Sequence, residues 1–370
     1  MDINYGVVGT GYFGAAEARV LSKLPGAHVL GVYDPHNAEK CSAELGAEIF
    51  PTMESLVHDP RIQAVIVASP NGLHVEPVIR AAQAGKAVFC EKPIALSYSD
   101  CKLMVDTAKE NGVFFMAGHV MNFMNGVRLA KKIIDEGKLG KIFYVHTARN
   151  GWEAKQKSVS WKKVKELSGG HLYHHIHELD CVQSILGPAS SATMIGADVA
   201  HVGEGFGNED DMLLIQLTFE SGAFAVLEYG SAFRWPEHYV LIQGELGAIK
   251  IDLQDVGVTV RISGEPEQHF LVHRTQEEDD DRRAIYAQSS TDGAVQYGNP
   301  DKVPPLWLAG IVEEEMKYFH GLMQGEPVLE EFSKLSDGTA AMEAIATADA
   351  CSLSQSENRT VKISEVTARS

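Results

Sequence analysis

Residues 169–180, GGHLYHHIHELD, bring four histidines and two acids into twelve positions. Side chains of these types move protons, bind metal ions or coat a solvated helix, and each use requires a different arrangement. Taken as one helix over 171–186 at about 100° per residue, the stretch places Leu172, Ile176, Leu179 and Leu186 on one buried stripe. Tyr173, His177, Asp180 and Ser184 fall on an adjoining stripe, with His171, His174, His175 and Glu178 spread over the remaining side. On this reading His177 is a general acid or base that shares its stripe with Tyr173 and Asp180. A second reading lets His171, His174, His175 and Glu178 share a metal ion, since i, i+3 and i+4 pairs can converge. A third leaves the histidines as polar helix surface or interface.

A second constellation, GTGYFG at residues 9–14, follows the first apolar run and opens a helical stretch. Gly9 permits a tight turn, Gly11 lets a pyrophosphate approach the backbone, and Gly14 lets helix and strand pack closely. Thr10, Tyr12 and Phe13 share that turn and are candidate cofactor contacts. The helix N-terminus then offers its unpaired N–H groups to the phosphates. Asp34 lies twenty residues beyond Gly14, at the end of the second apolar run. A carboxylate there accepts hydrogen bonds from the adenosine ribose hydroxyls. It also opposes a 2′-phosphate, and no arginine follows it closely, so NAD is expected in preference to NADP.

The elements that position these residues change character along the chain. YGVVG, HVLGVYD, AVIVASP, AVFCEKP and VFFMAGH are apolar without alternation, as buried parallel strands are. Helical stretches separate them, for example 73–84 and 99–111, the latter with Ser97 and Asp100 as a capping signal. This rhythm predicts an α/β fold, a doubly wound parallel sheet over residues 1–122. Residues 123–370 read as a second α/β domain with an open, mostly antiparallel sheet. Its segments are 211–219 and 223–232, flanking a hairpin at Ser221-Gly222, then 237–252, 257–263 and 267–274. The acidic stretch 276–304 reads as a long loop, and helices are expected near 306–324 and 337–353. Lys92 ends a central strand of the parallel sheet, at the carboxyl edge where ligands bind in such folds.

The run SPNGLHVEPVIRAAQAGKAVFCEKPIAL (69–96), with its Glu91-Lys92-Pro93 strand end, resembles the glucose–fructose oxidoreductase/inositol dehydrogenase/rhizopine catabolism (Gfo/Idh/MocA) family. GHVMNF at 118–123, the His177-x-x-Asp180 pair and QGELGAIKID near the late strands extend the likeness along the whole chain. The resemblance implies that Ser69, Pro70, Asn71 and His74 line the nicotinamide half of a cofactor cleft. It implies that Glu91 and Lys92 sit beside the nicotinamide, Lys92 facing the substrate hydroxyl, with Pro93 in the cis form common to the family. Asn122 joins the implied cofactor-binding residues, although many members carry arginine there. Many members also carry an aspartate four residues before the helix histidine. Here Tyr173 holds that position, and His174 is a rival occupant because the glycine-to-histidine spacing is shorter. The implied catalytic set is Lys92, His177, Tyr173 and Asp180. Trp152, His174, Lys92 and His177 are the candidate substrate contacts, with Arg149, Arg234, Trp235 and His238 as weaker ones. The family mostly works without a metal, and none is expected.

Composition limits the alternatives. With 32 basic and 50 acidic residues the chain carries a net charge of −18, which argues against a nucleic-acid partner. The acidic runs 277–281 and 313–315 read as solvated faces. Five scattered cysteines without a Cys-x-x-Cys suit a reducing compartment. No apolar run approaches a membrane span, and the first strand begins within a few residues of Met1, so a soluble cytoplasmic protein is expected. The expected activity is NAD-dependent oxidation of a secondary hydroxyl on a sugar, glycoside or cyclitol, by a homodimer or homotetramer. Two alternatives stay open: a redox-assisted glycosidase or lyase with tightly held NAD, and a non-catalytic regulator that binds NAD and a sugar.

Overall fold

A computed structural model describes residues 2–287 and 302–369. These divide into two compact units. One holds residues 2–120, 302–304 and 308–342; the other holds 121–287, 305–307 and 343–369.

In the first unit six strands form one parallel sheet: β1 (Ile3–Val8), β2 (Ala27–Tyr33), β3 (Glu48–Ile49), β4 (Ala64–Val67), β5 (Ala87–Glu91) and β6 (Phe115–Gly118). Their spatial order is β3-β2-β1-β4-β5-β6. The connecting helices are α1 (Tyr12–Leu21), α2 (Ala38–Leu45), α3 (Met53–Val57), α4 (Val75–Gln83) and α5 (Tyr98–Glu110). All four residues of β4 are fully buried, which accounts for strands that are apolar without alternation. The order reverses between β1 and β4, creating the crevice at which doubly wound folds bind dinucleotides. Ser97 caps α5 as expected, its Oγ accepting from the Asp100 N–H at 3.2 Å. The two-residue β3 gave no pattern to read.

In the second unit α6 (Asn125–Asp135) precedes β7 (Ile142–Trp152). The helices α7 (Lys165–Ser168), α8 (Gly170–His174) and α9 (Ile176–Leu186) follow. Then come β8 (Ala189–Ala197), β9 (Met212–Phe219), β10 (Phe224–Gly230), β11 (Ala232–Gly244), β12 (Gly247–Asp252), β13 (Gly257–Ile262) and β14 (Gln268–Phe270). They form a nine-stranded sheet with β15 (Val361–Lys362), in the order β14-β13-β12-β11-β7-β10-β9-β8-β15. Every pairing is antiparallel except β7 with β10. Leu213, Ile215, Leu217, Ala225, Leu227, Val240 and Ile242 bury one face, while Ile195, Leu214 and Phe224 leave apolar surface on the other.

Four expectations are corrected. The segment 237–252 is two strands, because the chain turns at Glu245-Leu246. The histidine stretch is two helices and not one, since His175 leaves helical geometry at φ −101°, ψ 36°. Residues 276–287 form a helix, α10 (Gln276–Ala287), where a loop was expected; the rest of that segment, 288–301, lies outside the described residues. Nor are the acidic runs wholly solvated: Glu278 and Asp279 on α10 are buried, as is Glu315 on α11 (Leu306–Met323). The last long helix, α13 (Thr339–Glu357), and the short α12 (Ser333–Ser336) and α14 (Ile363–Thr367) complete the chain.

The buried acids of α10 have structural partners. Asp279 accepts from the Val272 N–H at 3.0 Å and the His273 N–H at 2.9 Å, and meets His273 Nδ1 at 2.7 Å. Arg282 is buried on the same helix, its guanidinium 4.2 Å from the Trp307 ring centre. Acid in the first turn also suits the helix dipole. Replacing Asp279 by Ala strands two buried N–H groups and should cost about 1–3 kcal/mol. The exposed Asp280→Ala should cost less than about 0.5 kcal/mol. Denaturant unfolding of both variants checks this, and equal effects would contradict the assignment.

Candidate functional site

In the first unit the glycine turn has the geometry its spacing implies. Gly9 has φ +91°, and a Cβ there would lie 2.5 Å from the Ser69 nitrogen. A Cβ on Gly14 would lie 1.9 Å from the Gly9 carbonyl oxygen. At Gly11 a Cβ would meet nothing within 4 Å, so the bare backbone at the start of α1 faces open space. Asp34 is fixed at the end of β2. Its Oδ2 accepts from the Thr10 N–H at 2.8 Å, and its Oδ1 accepts from the N–H groups of His36 (2.8 Å) and Asn37 (2.9 Å). The carboxylate is half-buried and retains lone pairs for ribose hydroxyls. A cradle closed at Gly9 and Gly14 and open at Gly11, with a carboxylate beyond it, fits a dinucleotide.

The loops after β4 and β5 are tied together by His74. Its ring is buried, with Nε2 2.7 Å from the Ser69 carbonyl oxygen and Nδ1 2.9 Å from that of Pro93. Burial pushes its pKa down against the pull of those two carbonyls. The Lys92–Pro93 peptide is cis. Lys92 is half-buried, and its N–H donates to Glu91 Oε2 at 3.2 Å. Asn71 is buried, and Tyr12 meets Phe13 edge-on at 5.2 Å.

In the second unit the histidine stretch is buried on almost every side. His171, His175, His177, Glu178 and Asp180 are all enclosed, and His174 is half-buried. This removes the reading of the histidines as solvated surface. Asp180 Oδ2 accepts from Asn122 Nδ2 at 2.6 Å, so Asn122 holds the acid that lies three residues past His177. The Tyr173 hydroxyl donates to Asp349 on α13, and burial followed by that carboxylate pushes its pKa well up. The residues of the metal reading are drawn to separate partners. His171 lies 3.2 Å from Glu209, and Glu178 Oε1 lies 3.4 Å from Arg149 and 3.1 Å from His238. Among the described residues no group of three or more His, Cys, Asp or Glu side chains is placed to hold a metal ion. His175 stacks on His171 at 5.3 Å, and burial, then Arg149 and the neighbouring histidines, push its pKa well down.

Around these helices the Arg234 guanidinium lies over the Trp152 ring at 3.4 Å, and Trp152 meets His201 at 4.7 Å. Trp235 is 80% exposed. His238 joins Glu178 to Arg282, whose Nη2 is 3.4 Å from His238 Nδ1. Sequence reasoning missed Asp349, Arg282, Glu17 and Glu315. Asp349 and Glu17 lie outside any run of charge on their helices, Arg282 and Glu315 lie in or beside such runs, and only the packing shows what each faces.

Comparison with known proteins fits this geometry. Residues 3–119 match the oxidoreductase-family NAD-binding Rossmann fold, and 131–363 match the C-terminal alpha/beta domain of the same family. The chain belongs to the Gfo/Idh/MocA oxidoreductase family. It is 56% identical over 365 residues to 2,7-anhydro-N-acetylneuraminate hydratase of Mediterraneibacter gnavus, covering 98% of this chain and 97% of that protein. It is equally identical, over 365 residues, to the hydratase of the same name from Escherichia coli K12, covering 98% of each. The structure of levoglucosan dehydrogenase with NADH and levoglucosan superposes with a TM-score of 0.79 over 98% of this chain and all of that one. At 21% identity that likeness shows the fold alone. The expectation of a net sugar dehydrogenase is overturned by the two full-length relatives, which are hydratases.

The open space at Gly11 separates binding from folding. Gly11→Ala should unfold like the parent protein yet weaken dinucleotide binding at least about tenfold, or ~1.4 kcal/mol. Gly14→Ala, driven into the Gly9 carbonyl, should lower stability as well. Calorimetric binding and thermal unfolding of both variants check this; loss of stability in Gly11→Ala with binding intact would contradict the cradle.

Proposed function

We propose that this protein adds water across the internal ether of 2,7-anhydro-N-acetylneuraminate, giving N-acetylneuraminate with no net oxidation. The observation that carries the reading is the 56% identity, over nearly the whole of each chain, to two hydratases named for that substrate. The glycine cradle, Asp34, Lys92 and His177 support it, because an NAD-type fold is retained for a reaction that consumes no NAD.

The substrate's own structure suggests why. The bridged carbon, C2, has a methylene neighbour, C3, and beyond it C4 carries a hydroxyl. When bound, the dinucleotide would supply a temporary oxidation of that hydroxyl, reversed before the turnover ends, and the resulting ketone makes the C3–H acidic. Loss of the C3 proton then forms the C2–C3 double bond as the C2–O7 bond breaks and O7 takes up a proton to become the C7 hydroxyl. Water adds its oxygen to C2, and a proton returns to C3. Two proton positions have to be served. Lys92, at the carboxyl end of β5, is proposed to hold the C4 oxygen and carry its proton. His177, an imidazole enclosed on α9, is proposed to take the C3 proton, pass it to the departing O7, and later deliver to C3 a proton drawn from water. Asp180, held by Asn122, is a positioning residue beside it. Tyr173 is committed to Asp349 and is proposed to fix α8.

Asp34 favours NAD over NADP, through ribose hydroxyls it can accept and a phosphate it repels. We also infer that the open sheet face, where Ile195 pairs with Leu214 beside the exposed Phe224, packs against a second copy of the chain.

The purified protein with NAD should convert 2,7-anhydro-N-acetylneuraminate to N-acetylneuraminate without accumulating NADH. NADH formed in step with product would overturn the reading, as would inertness toward this substrate. His177→Ala should lower turnover about 10²–10⁴-fold with NAD affinity nearly unchanged. Titration should find NAD bound more tightly than NADP, and a preference for NADP would contradict the role of Asp34.

A further inference from the structure

Three carboxyl groups are buried together in the first unit, and nothing in the proposed reaction uses them. Glu17 on α1, Glu91 at the end of β5 and Glu315 on α11 are 0%, 7% and 1% exposed. No hydrogen-bond donor among the described residues reaches any of the four carboxyl oxygens of Glu17 and Glu315. Glu17 instead faces Glu91, the strongest neighbouring charge upon it, with Glu315 beyond. Two buried carboxyls that face one another are both acceptors when ionised, so a bond between them needs a proton.

Other groups around the pair compensate it in part, chiefly through the charge of Lys92. On β5 the Cys90 thiol is pushed well up by burial, and Lys92 follows Glu91 with its N–H on Oε2. The flanking strands β4 and β6 carry no ionisable side chain. His119 is buried immediately beyond Gly118, the register partner of Glu91, and His74 is buried against Pro93. On α4, packed against β5, Glu76 and Arg80 point to solvent, Arg80 lying 3.8 Å from Glu54. Burial and the neighbouring carboxyls push the pKa values of Glu17 and Glu315 well up; burial raises that of Glu91 too, against the opposing pull of the bond with Glu17 and the charge of Lys92.

The position of the pair gives this proton a use. In a doubly wound sheet each half takes one mononucleotide at the carboxyl ends of its strands. Asp34 marks the adenosine half at β2, leaving the ends of β4 and β5 to the nicotinamide half. The oxidised nicotinamide ring is positive and the reduced ring neutral. We propose that Glu17 and Glu91 form a proton-linked counter-charge for the nicotinamide, sharing one proton when oxidised NAD is bound and holding two when the reduced form is bound. Glu315 stays neutral beside them and walls off water. Such a pair offsets the change in ring charge and brings the affinities for the two forms together. The linkage depends only on the dinucleotide occupying this unit. Its value to an enzyme that restores its cofactor within each turnover rests on the hydratase reading.

The test is binding in the absence of substrate, so it stands or falls separately from hydration. Affinities of NAD and NADH for the protein, freed of any co-purified dinucleotide, are measured by titration calorimetry across pH and in buffers of differing ionisation enthalpy. Raising the pH strips the second proton, which weakens NADH binding and favours NAD. The ratio Kd(NADH)/Kd(NAD) should therefore rise with pH, by up to about tenfold per pH unit for one linked proton, with net proton uptake on binding NADH relative to NAD. Glu91→Gln should flatten the ratio. Glu17→Leu removes the donor that favours ionised Glu91 and should move the titration upward by about one pH unit; Glu17→Gln keeps a donor and should restore it. A pH-independent ratio in the parent protein would overturn the proposal. So would a slope that survives in Glu91→Gln, which would place the proton on another group such as His74. If Glu17→Leu does not fold, the parent and the two isosteric glutamine variants still decide the outcome.

Discussion

A charged group taken out of water must find an opposite charge, a set of donors or a proton, and both units of this protein are organised around that requirement. In the second unit Glu178 has no exposed surface and is met by Arg149 and His238, with Arg282 behind the imidazole. Asp180 has Asn122, Tyr173 has Asp349, and Asp279 has two backbone N–H groups and His273. In the first unit Asp34 gathers three N–H groups, whereas Glu17 and Glu91 have chiefly one another. Satisfied groups of the first kind make rigid positions. The unsatisfied pair makes a place where a proton can be held.

This requirement also decides what could be read from the residues in order. The parallel sheet was legible because strands covered on both faces are apolar throughout, and β4, Ala-Val-Ile-Val, has no polar residue to hide. The glycine turn was legible because only a residue without a side chain can occupy Gly9 and Gly14. Acidic runs carry no such signature. Glu-Glu-Asp-Asp-Asp on α10 looks like solvated surface, yet Glu278 and Asp279 hold a loop from within the core while the adjacent Asp280 is exposed. The histidine stretch misled in a related way. A period of 3.6 sorts a helix into faces, but this segment breaks at His175 and is enclosed nearly all round, so there was no solvent face to find.

The roles proposed for Lys92, His177 and Asp34, as proton carriers and ribose partner, do not distinguish a dehydrogenase from a hydratase. On the proposed route both reactions begin by removing a hydroxyl proton and a hydride from a carbinol. They part only at the next bond, and that bond belongs to the substrate. An ether two carbons from the oxidised centre can leave once the intervening C–H is acidic; without such a leaving group the ketone is the product. No spacing of residues records which of these the bound molecule carries, so the correction had to come from full-length relatives and not from a motif.

In the proposed route a proton leaves C3 and is replaced there by one from solvent, while the cofactor ends each turnover unchanged. Turnover of 2,7-anhydro-N-acetylneuraminate in D2O, with NAD at catalytic concentration, reads that event directly. The product N-acetylneuraminate is predicted to carry solvent deuterium at C3 and ordinary hydrogen at C4, since the electrons and hydrogen removed from C4 are put back there. Product with no deuterium at C3 would mean that the ether is opened by simple hydrolysis without the transient ketone, and the central claim would be wrong.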